Sequence, residues 1–124
     1  FMRIFKTRLF NKWAIKEKLS DSFLINAVEE MSRGLIDANL GGNLYKKRIA
    51  KVGQGKSGST RTILAFKVED KAFFVYGFAK KDKDNISDKE LEILKILASG
   101  LLDYDNEKIE KTLKEKKILE VIYE

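Results

Sequence analysis

Thr60-Arg61-Thr62-Ile63-Leu64-Ala65-Phe66-Lys67-Val68, then Glu69-Asp70-Lys71, then Ala72-Phe73-Phe74-Val75-Tyr76-Gly77-Phe78-Ala79 is the stretch whose reading decides the fold. Two runs rich in β-branched and aromatic residues flank a short polar turn, the pattern of an antiparallel hairpin with strands at 60–68 and 72–79. The second run is apolar at odd and even positions alike. A strand of that kind is covered on both faces and belongs inside a sheet rather than at its edge.

Upstream, residues 44–51 read as a further strand, preceded by a loop at Gly41-Gly42. Before the loop, Leu24, Ala27, Val28 and Met31 fall at the spacing of a helical stripe, giving a helix over 21–33. Ser20 or Asp21 caps it and Gly34 stops it. Residues 9–18 form a shorter helix with Phe10, Trp13 and Ala14 on one face, and residues 3–8 alternate as a strand. Downstream, Ser87 and Glu90 make a capping box that opens a helix over 88–102. Leu91, Leu94, Leu97, Ala98 and Leu101 are its expected buried face. The order β-α-α-β-β-β-α predicts an α+β domain, a curved antiparallel sheet with helices on one face. The expected domain spans 1–102. Residues 103–124 read as a C-terminal extension with a weak helix near 106–116 and an apolar end, 118–123, fit for an added edge strand. Met2 is the expected native start, with Phe1 a remnant before it.

The chain has 124 residues, enough for one small domain. It contains no Cys and no His. Thiol catalysis and disulfides are thereby excluded, and the commonest zinc ligand and general base are missing. No tight acidic cluster suggests a metal, and no motif suggests a cofactor. Neither a signal peptide nor a membrane span is expected, and a cytoplasmic location is the expectation.

Charge is segregated. From Ala38 to Val68 there are seven basic residues, Lys46, Lys47, Arg48, Lys51, Lys56, Arg61 and Lys67, and no Asp or Glu. The whole chain is +6, so this quarter of it carries all the excess. Such a patch beside accessible backbone is the electrostatic footprint of a polyanion site, RNA or DNA being the expected polyanion. In an extended strand Lys46 and Arg48 share the open face, about 6–7 Å apart, a spacing that suits phosphates. Tyr45, Lys47 and Ile49 take the inward face, with the Lys47 amine reaching round to water. The plain alternative is a solvated strand whose charges serve solubility. Lys56 lies in Gly53-Gln54-Gly55-Lys56-Ser57-Gly58, a loop able to present N–H groups to phosphate. Its spacing is not that of a nucleotide-binding P-loop. Arg61 opens the next strand and can converge with Lys46 and Arg48. Lys80 and Lys81, after the central strand, can close the same site, or with Lys83 can simply balance Asp82 and Asp84 in a polar turn.

The runs Gly41-Gly42-Asn43-Leu44-Tyr45-Lys46-Lys47-Arg48-Ile49-Ala50, Gly53 to Thr62, and Phe73 to Lys81 before a capped helix together resemble the RelE/ParE superfamily of bacterial toxins. Within it the pattern is most similar to the HigB-type toxins, over about residues 3–102. The resemblance implies a RelE-like fold and a toxin–antitoxin module. It also implies ribosome-dependent mRNA cleavage that blocks translation and is inhibited by a cognate antitoxin. By motif, Lys46, Arg48, Lys56, Arg61 and Lys81 match the basic catalytic set. Lys47, Lys51, Lys80 and Lys83, beside them in the sequence, are expected to be further RNA contacts. RelE has a functional Tyr where this chain aligns Ser87, and Tyr76 is the nearest alternative phenol.

Cleavage by a 2′-OH needs a base, charge stabilisation and a proton for the leaving 5′-oxygen. Clustered cations meet the second need directly. A lysine crowded by like charge gives up its proton more readily, so Lys46 or Lys56 is the candidate base. Arg48 and Arg61 are candidate phosphate clamps and Lys81 assists the leaving group; Arg, always charged, is not the base. Two other readings compete: a ParE-like inhibitor of DNA gyrase, and a non-enzymatic RNA- or ribosome-binding module. The fold serves all three.

Overall fold

A computed structural model describes residues 2–50 and 59–123. Its elements are β1 (Arg3–Thr7), α1 (Arg8–Lys16), α2 (Asp21–Ser32), β2 (Ala38–Gly41), β3 (Leu44–Ile49), β4 (Thr60–Lys67), β5 (Lys71–Ala79), α3 (Asp88–Leu102), α4 (Asn106–Lys114) and β6 (Ile118–Glu120). The six strands form one sheet in the order β2-β3-β4-β5-β1-β6. The hairpin β4–β5 lies at its centre, as the doubly apolar pattern of β5 requires.

Alternation along the strands builds two cores. Ile4, Leu64, Phe66, Ala72 and Phe74 point to one side, where Phe10 and Ala14 of α1 and Leu24, Ala27, Val28 and Met31 of α2 close over them. Phe5, Ile63, Ala65 and Phe73 point to the other, under Leu94, Ala98 and Leu101 of α3 and Ile109 of α4. Each fully buried Phe, Leu or Ile contributes on the order of 2 kcal/mol. Helices therefore cover both faces rather than the single face expected. A strand such as β5, apolar on both sides, demands two covers, and one layer of helices cannot supply them.

Three further expectations change. β1 pairs with β5 in parallel, Phe5 opposite Phe73, so the sheet is mixed. A short strand, β2, pairs with β3 and takes in the first of the two glycines, Gly41, where only a loop was expected. Its four residues, Ala-Asn-Leu-Gly, carry almost no strand propensity; the turn after it is made by Gly41, Gly42 and Asn43, all with positive φ. On α3, Leu94, Ala98 and Leu101 are buried, but Leu97 is 39% exposed because it lies one step round the helix from that stripe.

The helix expected near 106–116 is α4, capped by Asp105, whose carboxylate accepts from the Lys108 N–H at 2.8 Å. The expected edge strand is β6, antiparallel to β1. The Arg3 guanidinium forks onto both oxygens of Glu120 at 2.7 Å and fixes that edge. Among the described residues no helix is long and apolar enough to cross a membrane.

Candidate functional site

Strand register sets the basic residues in order. Across β3, β4 and β5, Arg48 faces Arg61, which faces Phe78. The neighbouring row on the same side is Lys46, Ile63 and Tyr76. Strands lie about 4.8 Å apart and rows about 6–7 Å. Lys46, Arg48, Arg61 and Tyr76 therefore lie round Ile63 on one face, at the margin of the part that α3 covers. Like charges directly opposite on neighbouring strands are destabilising. Arg48 against Arg61 is thus a costly pair that a bound anion would relieve.

Within the described residues, Lys46, Arg48, Lys80 and Lys81 pair with no carboxylate, nor does Arg61. The Arg61 guanidinium is instead aimed by Ser59, whose hydroxyl accepts from Nη1 at 2.6 Å. Asp37 fixes the Arg48 backbone, accepting from its N–H at 2.6 Å. Lys80 and Lys81 are exposed in the turn after Ala79. Ala79 lies opposite Thr60, so the turn sits at the same end of the sheet as Arg61.

Two lysines have other employment. Lys47 does not reach round to water: its ammonium pairs with Glu30 at 2.9 Å and donates to the Leu35 carbonyl at 3.1 Å. The reason is α2, which packs over this face and supplies the carboxylate. Lys83 turns back to the Glu90 carboxylate, 2.5 and 2.6 Å from its two oxygens, and to the Tyr76 hydroxyl at 3.4 Å. Lys51, Lys56 and the whole Gly53–Gly58 loop lie outside the described residues.

Sequence reasoning gave Glu90 a structural role alone. The capping box is present: the Ser87 hydroxyl accepts from the Glu90 N–H at 3.1 Å, and Glu90 accepts from the Ser87 N–H at 2.8 Å. The same carboxylate also accepts from the Tyr76 hydroxyl at 3.2 Å. Bonding to Lys83 first, and to the Ser87 N–H next, holds the Glu90 carboxyl down at about 2. Glu90 in turn raises Lys83. Tyr76 is half-buried, with its phenol fixed at the rim of the cationic patch rather than sunk in the core. The face of Tyr76 was readable from alternation, since it shares a side with Phe78 and hence with Arg61. The reach of Glu90 was not, because a capping box explains that residue completely in one dimension. Among the described residues no group of three or more carboxylates comes together.

This arrangement can hold a phosphodiester against two guanidiniums with a lysine and a phenol at either side of it. A family model described as the RelE toxin of the RelE/RelB toxin–antitoxin system matches residues 2–121. No curated protein matches the chain.

Proposed function

We propose, from the premise that this chain belongs to the RelE toxin family of toxin–antitoxin systems, that it cuts mRNA on the translating ribosome. Toxins of this family generally cleave mRNA and have a cognate antitoxin. The observation that carries the finer reading is the trio Lys46, Arg48 and Arg61, which pairs with no carboxylate among the described residues, with Arg48 directly opposite Arg61. Two arginines opposite one another on neighbouring strands suit the non-bridging oxygens of one phosphodiester.

In this reading Arg48 and Arg61 hold the non-bridging oxygens of the scissile phosphate. Their charge counts most as the pentacoordinate state gains its extra negative charge. Lys46 takes the proton of the attacking 2′-OH, a task Lys56 can share. The P–O5′ bond breaks, leaving a 2′,3′-cyclic phosphate on one product and a 5′-hydroxyl on the other. Lys81 supports the leaving oxygen, beside the Tyr76 phenol, whose proton is held by Glu90. Lys80 contacts the flanking backbone. The ribosome supplies substrate positioning that the small patch lacks. Like the HigB-type toxins, the chain would act in the cytoplasm.

Antitoxin-free protein in a cell-free translation reaction, with mRNA 5′ ends mapped by primer extension, tests this. Cuts that require ribosomes and vanish with Arg61→Ala are the expected result. Intact mRNA with inhibited gyrase, or RNA binding without product, would replace it.

A further inference from the structure

Between α1 and β5 lies a groove of about 410 Å³. Leu9, Trp13, Val75 and Gly77 give it an apolar wall, and Lys12 and Lys16 stand at its rim. The indole of Trp13 lies directly on Gly77: a Cβ added there would sit 2.2 Å from the ring. Leu9 is 69% exposed, an apolar side chain kept in water beside an aromatic one. Lys12 and Lys16 are four residues apart, so they share one side of α1 with Cβ atoms about 6 Å apart. Both are exposed, and within the described residues neither has an ion-pair partner. Helix α1 itself, Arg-Leu-Phe-Asn-Lys-Trp-Ala-Ile-Lys, has three cations and no acid.

Tyr76 also lines this groove. Helix α1 packs on the opposite face of the sheet from Arg48 and Arg61, and the groove meets the cationic patch at Tyr76, where β5 runs on beyond its last pairing with β1 at Phe74 and a strand can pass round its edge. An aromatic wall rimmed by lysines that pair with no carboxylate among the described residues, and sharing Tyr76 with a phosphate site, has the chemistry of a single-strand nucleic-acid platform. We propose that this groove takes a nucleobase of the RNA next to the cut, packed on Trp13 and Leu9, with the adjoining phosphates on Lys12 and Lys16. The proposal rests on the RNA reading above and adds to it a second subsite that the basic strand does not contain.

Trp13 is the only tryptophan, so its emission reports on this groove alone. The probe is a 2′-O-methyl oligoribonucleotide, which lacks the attacking hydroxyl and cannot be cut, titrated into antitoxin-free protein. A saturable change in Trp13 emission is expected, with affinity roughly tenfold weaker for the Lys12→Ala/Lys16→Ala double variant. Both lysines are exposed, so an unchanged circular dichroism spectrum will show that the variant is folded. An abasic strand of equal length should bind more weakly and leave the emission unmoved. An equal response to the abasic strand would reduce the site to phosphate contacts and overturn the nucleobase claim. RNA binding seen by anisotropy without any Trp13 response would overturn the groove and leave the RNA reading standing. No RNA binding together with intact mRNA in translation would end both. A Trp13 response to the cognate antitoxin but not to RNA would give the groove to a protein partner instead.

Discussion

Lys47 and its neighbours Lys46 and Arg48 are joined by peptide bonds and separated by the thickness of a sheet. On the side closed by α2, Lys47 has a carboxylate and a carbonyl within 3.1 Å. On the side that α3 leaves open, the side chains of Lys46 and Arg48 have neither among the described residues, and Arg48 faces another arginine. Burial of a charge must be compensated on the spot, whereas an open cation can wait for a ligand. The same residue type thus serves stability on one face and binding on the other. The largest test of that division is Arg61→Ala. Removing one preorganised donor should lower mRNA cleavage about 10²–10³-fold while stability changes by no more than about 0.5 kcal/mol. Primer extension reads the first and chemical denaturation the second. A large loss of stability with cleavage intact would erase the contrast.

The closed side breaks in the opposite sense. Gly77→Ala drives a methyl group into the Trp13 ring, which nearby Phe10 keeps from moving freely, at 5.5 Å between centroids. Such overpacking should cost about 3 kcal/mol, read as a lower denaturation midpoint at unchanged slope. A midpoint equal to that of the parent would mean that Trp13 swings away without cost. Lys47→Ala comes next. It strands the Glu30 carboxylate and the Leu35 carbonyl and should cost about 2 kcal/mol. Cleavage by the folded fraction should persist, in contrast with Arg48→Ala, which should keep its stability and lose cleavage. If Lys47→Ala abolishes cleavage in a folded protein, Lys47 belongs with the RNA contacts after all.

The central hairpin, both long helices and the capping box were legible because each is written in local periodicity or local hydrogen bonding. Ser87 and Glu90 declare a helix start three residues apart, and Leu24 to Met31 declare a stripe. What a single strand cannot declare is which of its faces a distant helix will cover. Alternation separated Lys47 from Lys46 and Arg48 correctly, yet the partner of Lys47 is Glu30, 17 positions earlier and on another element. The trio Lys46, Arg48 and Arg61 was brought together by register, which the hairpin pattern implies. The Tyr76–Glu90–Lys83 cluster was not foreseen, because it depends on how α3 docks on the sheet. β2 escaped for a simpler reason: its residues have no strand preference and are held by β3 alone.

The smallest effect concerns Glu90, which stands between the two regimes: it is paired like Lys47 but sits at the open patch. Its folded carboxyl titrates near 2 against an ordinary 4.5. The unfolded chain therefore binds more protons than the folded one between those values, and stability falls as pH falls through that interval. Above about 4.5 the contribution is complete, and below about 2 it is gone. Glu90→Gln keeps the capping box, since Gln serves as well as Glu at that position, but removes the charge that Lys83 bonds. Its melting temperature should lie below that of the parent at neutral pH, with the gap narrowing from pH 4.5 downward and closing near pH 2. All other carboxylates titrate alike in both proteins and cancel from the difference. Parallel melting curves over that range would mean that the Lys83 bond adds nothing to folding. Glu90 would then serve the patch alone, as the group that aims the Tyr76 phenol.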